Sequence, residues 1–393
     1  MGPPSYSHRT VRPFGIDRNH SSVSGSTSTV PRVGIVGLGN IGRYHADRLA
    51  RAGGQVACGV DVSEPARSSF AEQYGVPTFE TVEGLFETGV DAVVVTTPNG
   101  YHEEYAVAAL DHDVPVLVEK PLAHTVESAE RILAADEASE AFCMVGFHKR
   151  YLDGARALFD RIARGDLGDV HDVEANYVRR RGIPGRGGWF TQQAVSGGGA
   201  LLDIGVHVLD LACHFLSFPA FTSVTATILS EFGSRHDYTY LDMYGEDQGP
   251  DRFDVEDSVR AFLRDDRGTS VSLNVAWAAN ELDDTALTVT GSDGGARLDH
   301  ESGDLELYTV ADGGNPQLLT TRVQTRQTDP VLTEQRAFIE GVRTGVAPAW
   351  NTAHEGYQVQ RLVDAIYTAG ETGDPVHPGD IGTRAPERAT SES

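Results

Sequence analysis

The stretch Arg32-Val33-Gly34-Ile35-Val36-Gly37-Leu38-Gly39-Asn40-Ile41-Gly42 decides the fold of this 393-residue chain. A short β-forming run ends in Gly37-x-Gly39-x-x-Gly42, and a helical stretch from Arg43 to Ala52 follows it. With 43 glycines in the chain, the spacing alone is a weak signal. The context makes it a dinucleotide fingerprint: a strand before, a helix after, and Asp61 closing the next strand 19 residues past Gly42. The first glycine permits the turn, the second admits a pyrophosphate to the backbone, and the third lets helix and strand pack closely. The helix N-terminus then faces the phosphates. Gly37, Leu38, Gly39, Asn40, Ile41 and Gly42 are therefore cofactor-binding candidates. Asp61 is expected to accept hydrogen bonds from the adenosine ribose. A carboxylate there repels a 2′-phosphate, so NAD is favoured over NADP, with Arg67 the one nearby cation that could reverse the preference.

Outward from this loop the same grammar repeats. Strands at 55–60, 92–97, 114–119 and 142–146 alternate with helices at 63–74, 101–111 and 125–139. Such alternation means βαβ units and a parallel sheet, and the nearly all-apolar strands mean that both faces are covered. After residue 150 the pattern changes. A helix over 152–164 leads to alternating runs at 170–178, 223–229, 258–264, 269–276, 286–291, 296–299 and 305–310, joined by Gly/Asp turns. These predict a mostly antiparallel sheet with one face open. Helices return at 333–344 and 354–369, and 234–254 reads as an acidic insertion. The expected domains are a tail at 1–30, a nucleotide domain at 31–148, a second domain at 149–380 and a tail at 381–393.

Composition narrows the partners. With 57 acidic against 32 basic residues the formal net charge is −25, which excludes non-specific nucleic-acid binding and argues against an anionic membrane surface. Only Lys120 and Lys149 are lysines among those basic residues. Strong acidity with almost no lysine fits a protein adapted to concentrated salt, where counterions screen self-repulsion. Cys58, Cys143 and Cys213 are scattered and read as buried thiols in a reducing cytoplasm. No run of about 20 apolar residues predicts a membrane span.

Two further segments carry chemistry. Lys120 follows the apolar run Val114-Pro115-Val116-Leu117-Val118, where a buried strand would end, in Glu119-Lys120-Pro121. Unlike arginine, lysine can share or move a proton when its pKa falls. The second segment is Ser196-Gly197-Gly198-Gly199-Ala200-Leu201-Leu202-Asp203-Ile204-Gly205-Val206-His207-Val208-Leu209-Asp210-Leu211-Ala212-Cys213-His214. As a helix it puts Asp203, His207, Asp210 and His214 on one stripe. Asp203 and His207 read as orienter and base, the carboxylate raising the pKa of the imidazole one turn away. For Asp210 and His214 a solvated face is an equal reading. A divalent-metal site on the same pattern is a weaker alternative, and no HExxH or Cys/His cluster supports it.

Together these motifs resemble the glucose–fructose oxidoreductase / inositol dehydrogenase / rhizopine-catabolism (Gfo/Idh/MocA) family over residues 31–380. The marks are the glycine loop, Thr97-Pro98-Asn99 with His102, Glu119-Lys120-Pro121, and Gly197-Gly198-Gly199-x-Leu201-x-Asp203-x-Gly205-x-His207-x-x-Asp210. The resemblance implies an α/β protein: an N-terminal Rossmann doubly wound parallel sheet, then an α/β domain with a large, mostly antiparallel open sheet used in homodimers or homotetramers. It implies hydride transfer between NAD and a sugar or cyclitol hydroxyl carbon. Lys120, Asp203 and His207 would be catalytic, with Lys120 bonded to the reacting oxygen and His207 the base. Thr97, Asn99, His102 and Glu119 would line the cofactor, and Arg150 would contact substrate. A cis bond before Pro121 fits the same resemblance. Trp189, after the run Arg179-Arg180-Arg181, is a candidate to stack on a sugar face, and the arginines could attract an acidic or phosphorylated sugar; a core tryptophan and solvated strand-end arginines are an equal reading. Two other functions stand beside the dehydrogenase: a glycosidase using NAD transiently, and a non-catalytic NAD- or sugar-sensing regulator.

Overall fold

A computed structural model of the chain describes residues 30–380 except 312. The expected tails therefore lie outside the described residues, save Val30. The first sheet is built from β1 (Arg32–Val36), β2 (Gln55–Val60), β3 (Thr78–Phe79), β4 (Ala92–Val95), β5 (Val116–Glu119) and β6 (Cys143–Gly146). All its pairs are parallel, in the order β3-β2-β1-β4-β5-β6. That order reverses direction beside β1, the switch point where dinucleotides bind in open α/β sheets. Every residue of β4 is buried, so helices cover both faces. Around them run α1 (Asn40–Ala52), α2 (Glu64–Tyr74), α3 (Val82–Glu87), α4 (His102–Asp111) and α5 (Val126–Ala138). The peptide bond Lys120–Pro121, directly after β5, is cis.

After α6 (Asp153–Ala163) comes the second sheet. Its strands are β7 (Val170–Val178), β8 (Phe221–Leu229), β9 (Ser258–Asp265), β10 (Ser270–Ala276), β11 (Ala286–Gly291), β12 (Gly294–Asp299), β13 (Leu305–Ala311) and β14 (Gln317–Val323). They lie in the order β14-β13-β12-β11-β7-β10-β9-β8, with β7–β10 the single parallel pair. In β9 buried and open residues alternate strictly, as a one-sided sheet requires. The sequence reading missed β14, whose residues are nearly all exposed and carry no alternation.

Between β7 and β8 lies the long segment Gln193–Phe215. It starts as α7 (Gln193–Ser196), bends through the three glycines, and resumes as a π-helical turn at Leu201–Gly205 that runs into α8 (Val206–Phe215). By length and mean composition this segment is long and apolar enough to cross a membrane, although Asp203, His207, Asp210 and His214 interrupt any apolar run. Here it is the core helix of the second domain, and every residue of α8 is buried.

The first sheet ends at Gly146 and the second begins at Val170, while the last two long helices divide between the sheets. α9 (Pro330–Thr344) returns to the first domain, while α10 (Ala353–Thr372) packs on α5 and β8. Phe338 and Ile339 of α9 enter the same buried cluster as Val33, Ile35, Leu49 and Phe70. Burying each such side chain contributes about 1.5–3 kcal/mol. Arg48 of α1 adds an ion pair to Asp329 at 2.8 Å, and Gln335 bonds His45 at 2.9 Å.

Candidate active site

The glycine loop has the shape that its spacing predicts. Gly37 sits at φ +90°, and a Cβ there would meet the backbone of Thr96 at 2.8 Å. A Cβ on Gly42 would come within 2.0 Å of the Gly37 carbonyl oxygen. Gly39 instead faces open space, with nothing within 4 Å of its Cβ position. That opening belongs to a crevice of about 600 Å³ lined by Gly37, Gly39, Asn40, Ile41 and Asp61. Leu38 gives the loop only its backbone, since its side chain is buried with Phe70. Its N–H donates to Asp61 Oδ2 at 2.8 Å, and the Ser63 N–H donates to Oδ1 at 2.8 Å. The Asp61 carboxylate thus braces the loop that it was expected to serve. Arg67 is turned away from a 2′-phosphate role: it donates to the Asp61 and Val62 carbonyls and faces Glu80. The acidic insertion also acquires a place, because Tyr244, Gly245, Glu246 and Gln248 form the opposite wall of the crevice. Open glycine, uncapped helix N-terminus and ribose-side carboxylate fit a dinucleotide, and the Thr97 hydroxyl adds a buried polar atom with no partner among the described residues.

A second cavity, of about 350 Å³, adjoins the first, and Ile41, Thr97, Trp189, Phe190 and Tyr244 line both. Lys120 enters it from the end of β5. Its Nζ donates to the Asp203 carbonyl at 2.6 Å and to Asp203 Oδ1 at 3.0 Å. Trp277, at the end of β10, donates to Asp203 Oδ2 at 2.9 Å. Burial opposes the charge of Asp203, but Lys120, Arg179 and the Trp277 bond hold its pKa below the usual carboxylate value. Trp277 was not anticipated, and no motif surrounds it.

His207 shares the cavity, but not in the expected pairing. Asp203 Oδ1 accepts from Lys120 and Oδ2 from Trp277, neither bonds His207, and a π turn stands at Leu201–Gly205 where a regular turn would stack the two residues. Nor is the His207 pKa raised. Burial, then the charges of Lys120, His148 and Lys149, push it well below the ordinary histidine value. The imidazole is therefore neutral at pH 7, its Nδ1 is buried with no partner among the described residues, and its ring meets that of His148 edge-on at 5.0 Å.

Thr97, Asn99, His102 and Glu119 all line this cavity, mostly by bracing it. Asn99 donates to the Ser196 carbonyl at 2.8 Å, across to the second domain. The His102 ring nitrogens lie 2.8 and 2.9 Å from the carbonyls of Pro121 and Thr97, joining the two loops. Glu119 accepts the Lys120 N–H and lies 2.8 Å from His45. Burial opposes its charge, yet His45 and the neighbouring His148 and Lys120 draw its pKa down to about 2.

Two expectations are corrected. Arg150 does not reach substrate: it is fully buried, fork-bonded to Asp210 at 2.8 and 2.5 Å and to Glu355 at 2.9 Å. Asp210 and His214 are not a solvated face either, for Asp210 holds Arg150 and His214 stacks on Phe159 at 4.4 Å. Among the described residues no three His, Cys, Asp or Glu side chains converge as a metal set. Trp189 lines both cavities and stacks on Phe190 at 3.8 Å. Of the arginine run, Arg179 alone lines the active cavity, beside Tyr177. Arg181 bonds Asn280 and the Ala279 carbonyl, and Arg186 pairs with Asp247 of the insertion.

Residues 31–147 match the family model described as "Oxidoreductase family, NAD-binding Rossmann fold", and residues 155–297 match "GFO/IDH/MocA C-terminal domain". The D-glucoside 3-dehydrogenase of Escherichia coli (strain K12) is 30% identical over 359 residues, 90% of this chain and 99% of that one. The scyllo-inositol 2-dehydrogenase (NAD(+)) of Bacillus subtilis (strain 168) is 23% identical over 86% of this chain and 98% of its own length. A levoglucosan dehydrogenase solved with NADH and levoglucosan superposes with a TM-score of 0.77 at 20% identity, over 88% of this chain and 99% of that one, which shows the shared fold.

Proposed function

The chain belongs to the Gfo/Idh/MocA family of oxidoreductases, and on that premise we propose that it transfers hydride between NAD and a carbinol carbon of a sugar or polyol. The observation that carries this reading is the meeting of Lys120, Asp203 and His207 in a cavity that adjoins the glycine-loop crevice. Gly37, Gly39, Asn40, Ile41 and Asp61 would hold the cofactor on the crevice side, with Thr97, Asn99 and His102 shaping its inner end. Bound NAD supplies the hydride acceptor. The chain's own residues supply alignment and the proton path.

Asp203 anchors the Lys120 ammonium through Oδ1 and its carbonyl, leaving one donor of Lys120 for a substrate oxygen. As the hydroxyl proton departs, that ammonium stabilises the charge growing on the oxygen. His207, held neutral by burial, receives the proton. Trp189 offers a flat apolar wall against which a sugar face can stack. Outside the site, the open face of β9, with Arg260, Phe262 and Arg264, supports a homodimer or homotetramer through the second sheet. The acid excess supports a halophilic cytoplasm, and retention of structure on dialysis into low salt would count against it.

The deciding assay follows NADH formation in molar KCl across pentoses, hexoses, inositols and anhydro-sugars. A saturable signal with one class establishes the reaction and its substrate class. Release of free sugar from a glycoside without net NADH would replace this reading with the transient-oxidation glycosidase. NAD binding with neither signal would replace it with the sensor.

A further inference from the structure

We infer that the substrate carries an oxyanion, a carboxylate or a phosphate, and that Arg179 is the residue that reads it. This deepens the dehydrogenase reading and rests on it. Arg179 follows β7 directly and lines the same cavity as Lys120, Asp203 and His207. Its guanidinium has five N–H donors. Among the described residues its one hydrogen bond goes from Nη2 to the neutral Tyr177 hydroxyl at 2.8 Å, and its carbon stands 4.9 Å over that ring. No carboxylate lies within ion-pair distance of it among the described residues.

Asp203 and Glu301 act on the Arg179 charge from a distance, but each is bonded to other partners. Asp203 is held by Lys120 and Trp277. Glu301, on the far side of Tyr177, pairs with Lys149 at 2.7 Å and accepts the Tyr177 hydroxyl. Glu119 faces His45. Tyr177 thus acts as a spacer: it fixes the guanidinium by one bond and leaves Nε and Nη1 for something else. A chain with a net charge of −25 has ample carboxylate to pair an unwanted cation, as it does for Arg150 and Arg186. Spare planar donors beside a reacting site suit bidentate recognition of a carboxylate or phosphate. The cavity, about 350 Å³, is near the small end of ligand pockets.

The test compares glucose, glucose 6-phosphate and glucuronate at fixed ionic strength, by NADH formation and by quenching of NADH fluorescence in the protein–NADH complex. Wild type, Arg179→Gln and Arg179→Lys are measured side by side. In wild type the expected kcat/KM is about 10- to 100-fold higher for a charged sugar than for glucose, the ratio that one charge-assisted hydrogen-bond pair provides. Arg179→Gln should erase that ratio between charged and neutral sugar, and Arg179→Lys should restore part of it. The phosphate and carboxylate arms distinguish which oxyanion is read. Equal or better turnover of glucose in wild type overturns the inference while the hydride reading stands. Loss of all three activities together in Arg179→Gln also overturns it, since that assigns Arg179 a structural role. Binding of a charged sugar without turnover keeps the anion site but overturns the dehydrogenase reading, and absence of both binding and turnover overturns the inference.

Discussion

Two carboxylates on one helical segment, Asp203 and Asp210, each hold a cation from a segment that follows a strand of the first sheet, yet they do opposite work. Asp203 meets Lys120 at the cavity wall, with each side chain 16% exposed. Asp210 meets Arg150 in the interior, with exposures of 1% and 0%. Lysine offers a compact ammonium with one donor to spare, so its pair stays open to a ligand. Arginine offers a fork that one carboxylate fills, and Glu355 takes a third donor. Burial disfavours the guanidinium charge, but Asp210 and Glu355 together hold its pKa raised. The first pair is chemistry mounted on a structural helix, and the second is structure built from the same residue types.

If that division is right, Lys120→Arg produces the largest functional loss. A guanidinium cannot occupy the single-atom position between the Asp203 carbonyl and Oδ1 and still present a donor to substrate. Turnover should fall by about 10²- to 10⁴-fold. Thermal unfolding should move by no more than a few degrees. Near-normal turnover would take Lys120 out of the mechanism and collapse the contrast. Asp210→Ala should do the reverse. It leaves the Arg150 charge buried beside Glu355 alone, a loss of about 3–5 kcal/mol in stability. Denaturant midpoints measure this directly, and an unchanged midpoint would mean that Glu355 alone satisfies Arg150.

The same contrast shows what was readable in advance. The glycine loop was legible because each glycine answers a need within a few residues: a turn at Gly37, a close approach at Gly42. The Lys120–Asp203 meeting was legible as a motif, though its geometry was not. Helical periodicity placed His207 one turn from Asp203, and the π turn that breaks that relation has no reliable mark in single-sequence periodicity. Arg150 was misassigned because its partners are remote, with Glu355 lying 205 residues further on. For the same reason nothing marked Trp277, or the placement of 244–248 across the crevice from the glycine loop. Pairings over such distances are set by packing of whole elements, which a local pattern does not encode.

A third test concerns pH and spans both regions. Burial comes first among the causes that lower the pKa of His102, His148, His207, His214 and His300, with His148 and His300 brought to about 4. The unfolded chain therefore binds protons more readily than the folded one, so stability is intact above the unfolded value near 6.5. It should decline as pH falls from there toward about 4. Glu256, Glu334 and Asp210, raised by burial, push the other way, since their folded forms take up protons earlier. A melting temperature that falls steadily from pH 6.5 to 5 says that the histidines dominate. A flat profile over that interval says that the buried acids cancel them. The rate should behave differently. With His207 neutral across this range, the acid limb of kcat/KM should lie below pH 6.5 and vanish in His207→Ala. A limb centred above that value would assign the base to another group.

The smallest expected effect concerns Asp61, where one carboxylate holds both a structural and a recognition role. Its oxygens already accept the Leu38 and Ser63 N–H groups, and each keeps lone-pair capacity for a ribose hydroxyl. Asp61→Ala removes both functions, so cofactor affinity should weaken for NAD and NADP alike through the slackened loop. NAD should lose about 10-fold more than NADP, because it alone forfeits the ribose contact while NADP is relieved of a repelling charge. Arg67, tied to main-chain carbonyls, gives NADP no compensating contact in the wild type. Calorimetric affinities for the two cofactors, in wild type and variant, separate the roles. Parallel losses would make Asp61 a brace for the glycine loop and nothing more, as Asp210 is a brace for Arg150. A loss confined to NAD would mean that the loop holds its shape without the Leu38 bond.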